Sequence, residues 1–132
     1  MLTSSTVKLK KVHPDLVRVA LRAQTLFPKG FEVVVTCGLR TLEEQKKNMA
    51  AGASQTLRSR HLPGKKTGLA HAIDLAVKID GILRWDWPLY AKLAGYMKTA
   101  AKLEKVPVEW GGDWKTLKDG PHFQLPWASY PG

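Results

Sequence analysis

Leu69-Ala70-His71-Ala72-Ile73-Asp74-Leu75-Ala76-Val77-Lys78-Ile79-Asp80-Gly81-Ile82-Leu83-Arg84-Trp85 is the stretch that decides the fold. The apolar run from Leu69 to Ile79 reads as a strand, Asp80-Gly81 as a two-residue hairpin turn, and Ile82 to Trp85 as the return strand. Alternation along the first strand puts Ala70, Ala72 and Asp74 on one face and turns His71 away with Ile73.

Upstream, Pro14 to Phe27 carries Leu16, Val19, Ala20, Ala23 and Leu26 at helical spacing, with Pro14 suited to a first turn. Pro28-Lys29-Gly30 ends it, and Phe31 to Thr36 is a β-branched run of strand length. Thr41, with Glu44 three residues on, forms a capping box that opens a second helix running to about Ala51. Ala53 to Gly68 lacks periodicity and reads as a loop. Downstream, Asp86 and Pro88 start a third helix reaching about Lys105, with Leu89, Leu93, Tyr96, Met97, Ala100 and Leu103 as its buried face. Val108 to Trp110 and His122 to Leu125 are short strands. The expected class is α+β: three helices packed against a small, mainly antiparallel sheet.

The chain has 132 residues, enough for one domain with a core that needs no covalent staples. A single domain over 1–132, without a separate binding module, is expected. Cys37 is the lone cysteine and closes no intrachain disulfide, and its surroundings in sequence make it a small buried hydrophobe. No stretch approaches the ~20 apolar residues of a membrane span, and no secretory signal is visible, since His13, Asp15, Arg18 and Arg22 interrupt the apolar run after the first lysines. Stable membrane insertion is not expected, and a monomer is. The net charge of +10, from 21 basic and 11 acidic residues, favours a polyanionic partner surface. Lys and Arg are spread along the chain rather than clustered with stacking aromatics, which argues against nucleic acid.

Two distant segments carry metal chemistry: Ser59-Arg60-His61 with Ala70-His71-Ala72-Ile73-Asp74, and Asp119-Gly120-Pro121-His122-Phe123-Gln124-Leu125. A catalytic zinc takes three nitrogen or oxygen ligands and leaves a fourth position to water. His61, Asp74 and His122 can supply the three, with His71 a bystander by strand parity. His122 shares its strand face with Gln124. Asp119 sits on a turn tightened by Gly120-Pro121, three residues before His122, within reach of a base role there. Asp113, between Gly112 and Trp114, is the rival base, and its flanking glycines favour a loop-shaping role instead.

In chain order, Val12-His13-Pro14-Asp15-Leu16, Thr36-Cys37-Gly38-Leu39-Arg40-Thr41, Gln45, Ser59-Arg60-His61, Ala72-Ile73-Asp74-Leu75, Trp110-Gly111-Gly112-Asp113-Trp114 and the Asp119–Leu125 segment cover nearly the whole sequence. Together they resemble the phage peptidoglycan endolysins that act as L-alanyl-D-glutamate peptidases. These are grouped with the zinc D-alanyl-D-alanine carboxypeptidases and vancomycin-resistance D,D-peptidases, and share a fold with the hedgehog signalling domain. The resemblance implies Zn2+ on His61, Asp74 and His122, Asp119 as general base, and Arg40 as the contact to the substrate carbonyl or oxyanion. Gln45 would either help bind substrate or be a solvated helix residue.

The same resemblance implies bacterial peptidoglycan as substrate, an anionic envelope as the surface that attracts the charge, and residence in the host cytoplasm until a holin opens the membrane. A D-alanyl-D-alanine carboxypeptidase or dipeptidase on this scaffold is the alternative activity. A non-catalytic zinc domain is the alternative class, although Arg40 and Asp119 have no use in one. Twelve residues separate His61 from Asp74, more than in the family's shorter members. The Pro63–Thr67 region is therefore expected to bulge as a loop near the metal.

Overall fold

The computed structural model describes residues 8–50, 60–64, 67–115 and 118–131, with the side chains of residues 48 and 49 left aside. The elements run α1 (Pro14–Leu26), β1 (Phe31–Cys37), α2 (Leu42–Ala50), β2 (Ala72–Ile79), β3 (Ile82–Arg84), α3 (Trp87–Glu104), β4 (Glu109–Trp110), a 3-10 turn (Gly111–Asp113) and β5 (His122–Gln124). The strands order as β1-β2-β5-β4, with β3 also on β2, and every strand pair is antiparallel.

The hairpin forms as its sequence dictates. Asp80 (φ 50°) and Gly81 (φ 83°) both take positive φ, the combination whose twist matches that of the two flanking strands. β2 buries Ile73, Leu75 and Val77 against α1 and α3, together with Val33 and Val35 of β1 and Phe123 of β5. Each such side chain removed from water contributes roughly 1.5–3 kcal/mol. α1 contributes Leu16, Val19, Ala20 and Ala23, and its Gln24 covers the free edge of β1: its Oε1 accepts from Val33 N (2.7 Å) and its Nε2 donates to Phe31 O (3.2 Å). The capping box closes as expected, with Glu44 N donating to Thr41 Oγ1 (3.1 Å) and Thr41 N to Glu44 Oε1 (3.2 Å).

Two details differ from the sequence expectation. Leu103 is exposed, because the buried stripe of α3 runs through Tyr90, Leu93, Ala94, Met97 and Ala101; at its end lies Glu104, which receives Arg18 and Arg22 from α1. The ladder of β2 begins at Ala72, since Ala70 bonds the segment before α1 instead (Ala70 N to Lys11 O, 2.8 Å; His13 N to Ala70 O, 2.9 Å). The end of the second helix at Ala51 and most of the Ala53–Gly68 loop lie outside the described residues.

Candidate metal centre

The opposite face of the sheet carries the site. Cys37 of β1, Asp74 of β2 and His122 of β5 stand in one transverse row, since Asp74 is the register partner of both others. Cys37 reaches this row through a bulge: the register passes from Val35↔Leu75 to Cys37↔Asp74, so Thr36 is the extra residue. Without the bulge, alternation from Val33 and Val35 would send Cys37 into the core.

Asp74 Oδ1 lies 3.2 Å from His61 Nε2 and 3.2 Å from His122 Nδ1. Each imidazole has its other nitrogen on an oxygen acceptor: His61 Nδ1 is 2.9 Å from Gly38 O, and His122 Nε2 is 2.8 Å from Gln124 Oε1. A carbonyl oxygen only accepts, so the outward nitrogens donate and each ring, when neutral, turns a lone pair inward. With neutral rings, two nitrogen lone pairs converge on one carboxylate oxygen, an arrangement that a cation shared by the three groups satisfies and that protons on the rings satisfy in its place. Two imidazoles and a carboxylate also form the donor set that suits zinc with one position left open. Outer hydrogen bonds to Gly38 O and Gln124 fix ring tautomer and direction, as around metal-bound histidines generally.

The electrostatics agree. Burial alone would lower the His61 pKa, yet the hydrogen bonds and charges of Asp74 and Cys37 outweigh it and raise it to about 10. Burial would likewise raise Asp74, and the hydrogen bonds of His122 and His61 instead hold it well below the usual carboxylate range. The pocket stabilises positive charge at its centre. Asp119 goes the other way: burial, then the negative charge of Asp74, raises its pKa and makes it the stronger base.

Among the described residues, two overlapping groups could hold a metal, Cys37–His61–Asp74 and Asp74–Asp119–His122, each with ligand atoms within 4.8 Å of one another and Asp74 common to both. The structure thus brings His61, Asp74, His122 and Asp119 together. His71 is elsewhere: its ring packs 5.4 Å from that of His13 and lies beneath Gly64. Gly64 belongs to the insertion, which folds back through Gly64 N to Leu69 O (2.9 Å), so the part of it that is described rests on His71. Asp113 pairs with Lys98 (2.7 Å) at the surface.

The turn bearing Asp119 is fixed on several sides. Asp119 N donates to Gly111 O (3.1 Å) and Trp110 Nε1 to Gly120 O (2.7 Å). A Cβ at Gly111 would fall 2.3 Å from Asp119 O, so only glycine lets the two loops meet. Arg40 is tied to the loop that carries His61 by its own N–H on His61 O (2.8 Å), while its guanidinium donates to Gln45 Oε1 (2.7 Å) and Cys37 Sγ (3.4 Å). Gln45 is fully buried rather than solvated. Cys37 Sγ also lies 3.7 Å from His61 Nδ1. Sequence reasoning missed the places of Cys37 and Gln124 beside the candidate ligands. Shared strand parity with His122 was the signal for Gln124, and none marked the bulge that turns Cys37.

Residues 1–125 match the family model for phage L-alanyl-D-glutamate peptidase. The chain is similar to the L-alanyl-D-glutamate peptidase of Escherichia phage T5, 30% identical over 133 residues, covering 98% of this chain and 90% of that protein. It is 38% identical over 101 residues to the L-alanyl-D-glutamate peptidase of Listeria phage A118, covering 76% of this chain but only 33% of that protein. The peptidoglycan L-alanyl-D-glutamate endopeptidase CwlK of Bacillus subtilis (strain 168) is 31% identical over 106 residues, 74% of this chain and 62% of CwlK. Among solved structures, the Serratia marcescens L-Ala D-Glu endopeptidase ChiX superposes with a TM-score of 0.85 at 43% identity, covering 100% of this chain and 93% of that one. The α+β, hedgehog-like fold expected from the sequence is the one adopted.

Proposed function

This chain belongs to the phage L-alanyl-D-glutamate peptidase family, and we propose that it is a zinc endopeptidase cutting the L-alanyl-D-glutamate amide in the peptide stem of bacterial peptidoglycan. The observation that carries the reading is the convergence of His61 Nε2 and His122 Nδ1 on Asp74 Oδ1, with Asp119 beside them. Zinc held by His61, Asp74 and His122 would supply Lewis acidity to the scissile carbonyl and the attacking water.

The remaining steps belong to the chain's own residues. Asp119 accepts the proton of the attacking water and returns it to the departing amine, a contribution worth roughly 10²–10⁴ in rate. Arg40 meets the oxyanion that develops on the carbonyl. Gln45 and Cys37 hold the Arg40 guanidinium in place, so Gln45 serves substrate binding through Arg40.

The +10 charge would concentrate a monomeric enzyme on an anionic envelope. Among the described residues no helix is long and apolar enough to cross a membrane, and access to the wall after holin action fits that. The direct test uses a synthetic stem peptide beginning L-Ala-D-Glu. Release of free L-alanine, abolished by a chelator and restored by zinc, is the expected result; release that persists after the metal has been removed would overturn the zinc reading.

A further inference from the structure

Arg60, the residue before His61, is a buried cation without a carboxylate partner in contact among the described residues. Its side chain is 3% exposed, and its Nη2 donates to Leu125 O (3.2 Å) and to Tyr130 O. Its Cζ lies 3.9 Å from the Trp127 ring centroid, while its Nε is buried with no hydrogen-bond partner among the described residues. Burying a guanidinium this way is costly, and an apolar side chain of similar volume would stabilise the fold at least as well. A buried polar group left orphaned calls for a purpose.

The neighbouring contacts supply one. The segment after β5 closes on itself, with Tyr130 N donating to Pro126 O (2.9 Å), and is pinned to the start of α1 by Tyr130 Oη on Asp15 Oδ2 (2.7 Å). Leu125 N donates to His71 O and His71 N to Arg60 O, both at 2.8 Å. The backbone of Arg60 is therefore fastened to the foot of β2, and its side chain to the closed segment 126–130. His61 follows immediately, with its carbonyl held by Arg40 N and its ring by Gly38 O. The match to the peptidase family model stops at residue 125, so Arg60 lies inside it and the strap 126–130 beyond it.

We infer that Arg60 is a positioning residue for the metal ligand His61, and that the strap from Pro126 to Tyr130 is part of the metal site's scaffold because it grips the Arg60 guanidinium. Stacking on Trp127 and two carbonyl acceptors fix the guanidinium plane, which a lysine cannot reproduce. The inference rests on the reading of His61 as a ligand.

The test measures metal binding apart from turnover. Arg60→Met, Arg60→Lys and Trp127→Ala are compared with the unaltered chain for zinc affinity by chelator competition, for the visible spectrum of the cobalt(II)-loaded protein, and for the melting temperature of the metal-free protein. Loss of an outer-sphere support of this kind lowers metal affinity by roughly 10–100-fold. The expected result is that loss in Arg60→Met, a smaller loss in Arg60→Lys and Trp127→Ala, and altered cobalt bands in all three. A lower melting temperature with unchanged zinc affinity and cobalt spectrum would reduce Arg60 to a structural role and overturn the inference. If Arg60→Met does not fold, Trp127→Ala decides alone, since that ring is half-exposed and its removal leaves Arg60 present. His61→Ala separates the two levels: zinc retained there defeats the ligand reading itself, whereas zinc lost there but kept in the Arg60 and Trp127 variants defeats only the clamp.

Discussion

Asp74 and His122 face each other directly across β2 and β5, and the same Asp74 oxygen that lies 3.2 Å from His122 Nδ1 lies 3.2 Å from His61 Nε2. One proposed ligand is thus fixed by sheet register, its partner by the adjoining strand, and the third by a loop laced to both ends of the site. A register slip of one residue would send Asp74 into the core and destroy the centre.

His61→Ala, Asp74→Ala and His122→Ala should each bring zinc content, measured by atomic absorption on folded protein, down from one per chain towards zero. His71→Ala should keep full zinc, because His71 lies under Gly64 beside His13. Zinc lost in His71→Ala and kept in His61→Ala would exchange the two assignments.

Asp119→Asn keeps the shape of the turn and removes the basicity. It should keep zinc and fold while turnover of the stem peptide falls roughly 10²-fold or more. Asp113→Asn loses only an exposed contact to Lys98 and should stay near the unaltered rate. The opposite pattern would show that Asp113 is the base.

Gln45→Leu should lower kcat roughly tenfold or more with zinc content unchanged, since an Arg40 guanidinium no longer held at 2.7 Å can drift from the oxyanion. Gln45→Glu, which still accepts from Arg40, should recover much of the loss. Equal kcat in Gln45→Leu and the unaltered chain would show that Arg40 needs no such support.

Much of this was legible beforehand because local signals agreed with the final packing. The Asp80-Gly81 turn, the Thr41–Glu44 box and the parity of Asp74 each depend on residues a few positions apart. What escaped depended on distant ones. Thr36 becomes a bulge only because β1 must pair with β2, and that bulge alone brings Cys37 to His61. Gln45, open in the sequence between substrate binding and a solvated helix position, is buried against the Arg40 guanidinium. The buried face of α3 was read one position out of phase at Leu103, because Glu104 at the end of the true stripe is held by Arg18 and Arg22 on another helix.

Acid should weaken the fold through His71. Burial, followed by the charges of Arg60 and His13, lowers its pKa from 6.5 to about 4. The folded-state value is the depressed one, so the unfolded chain binds more protons between these pH values and stability falls as pH drops from about 6.5 to 4. The expected contribution is on the order of 2–3 kcal/mol. Urea unfolding of the zinc-free protein and of His71→Phe across this window checks it: the difference between them should change with pH, and parallel curves would show that His71 does not titrate as described.

The most direct measurement is digestion of purified bacterial cell wall followed by end-group labelling and mass spectrometry of the released peptides. The account predicts new amino termini on D-glutamate, with L-alanine left on the glycan side, and none when zinc is removed or Asp119 is Asn. New termini elsewhere in the stem, or release of free D-alanine with the L-alanyl-D-glutamate bond intact, would contradict it.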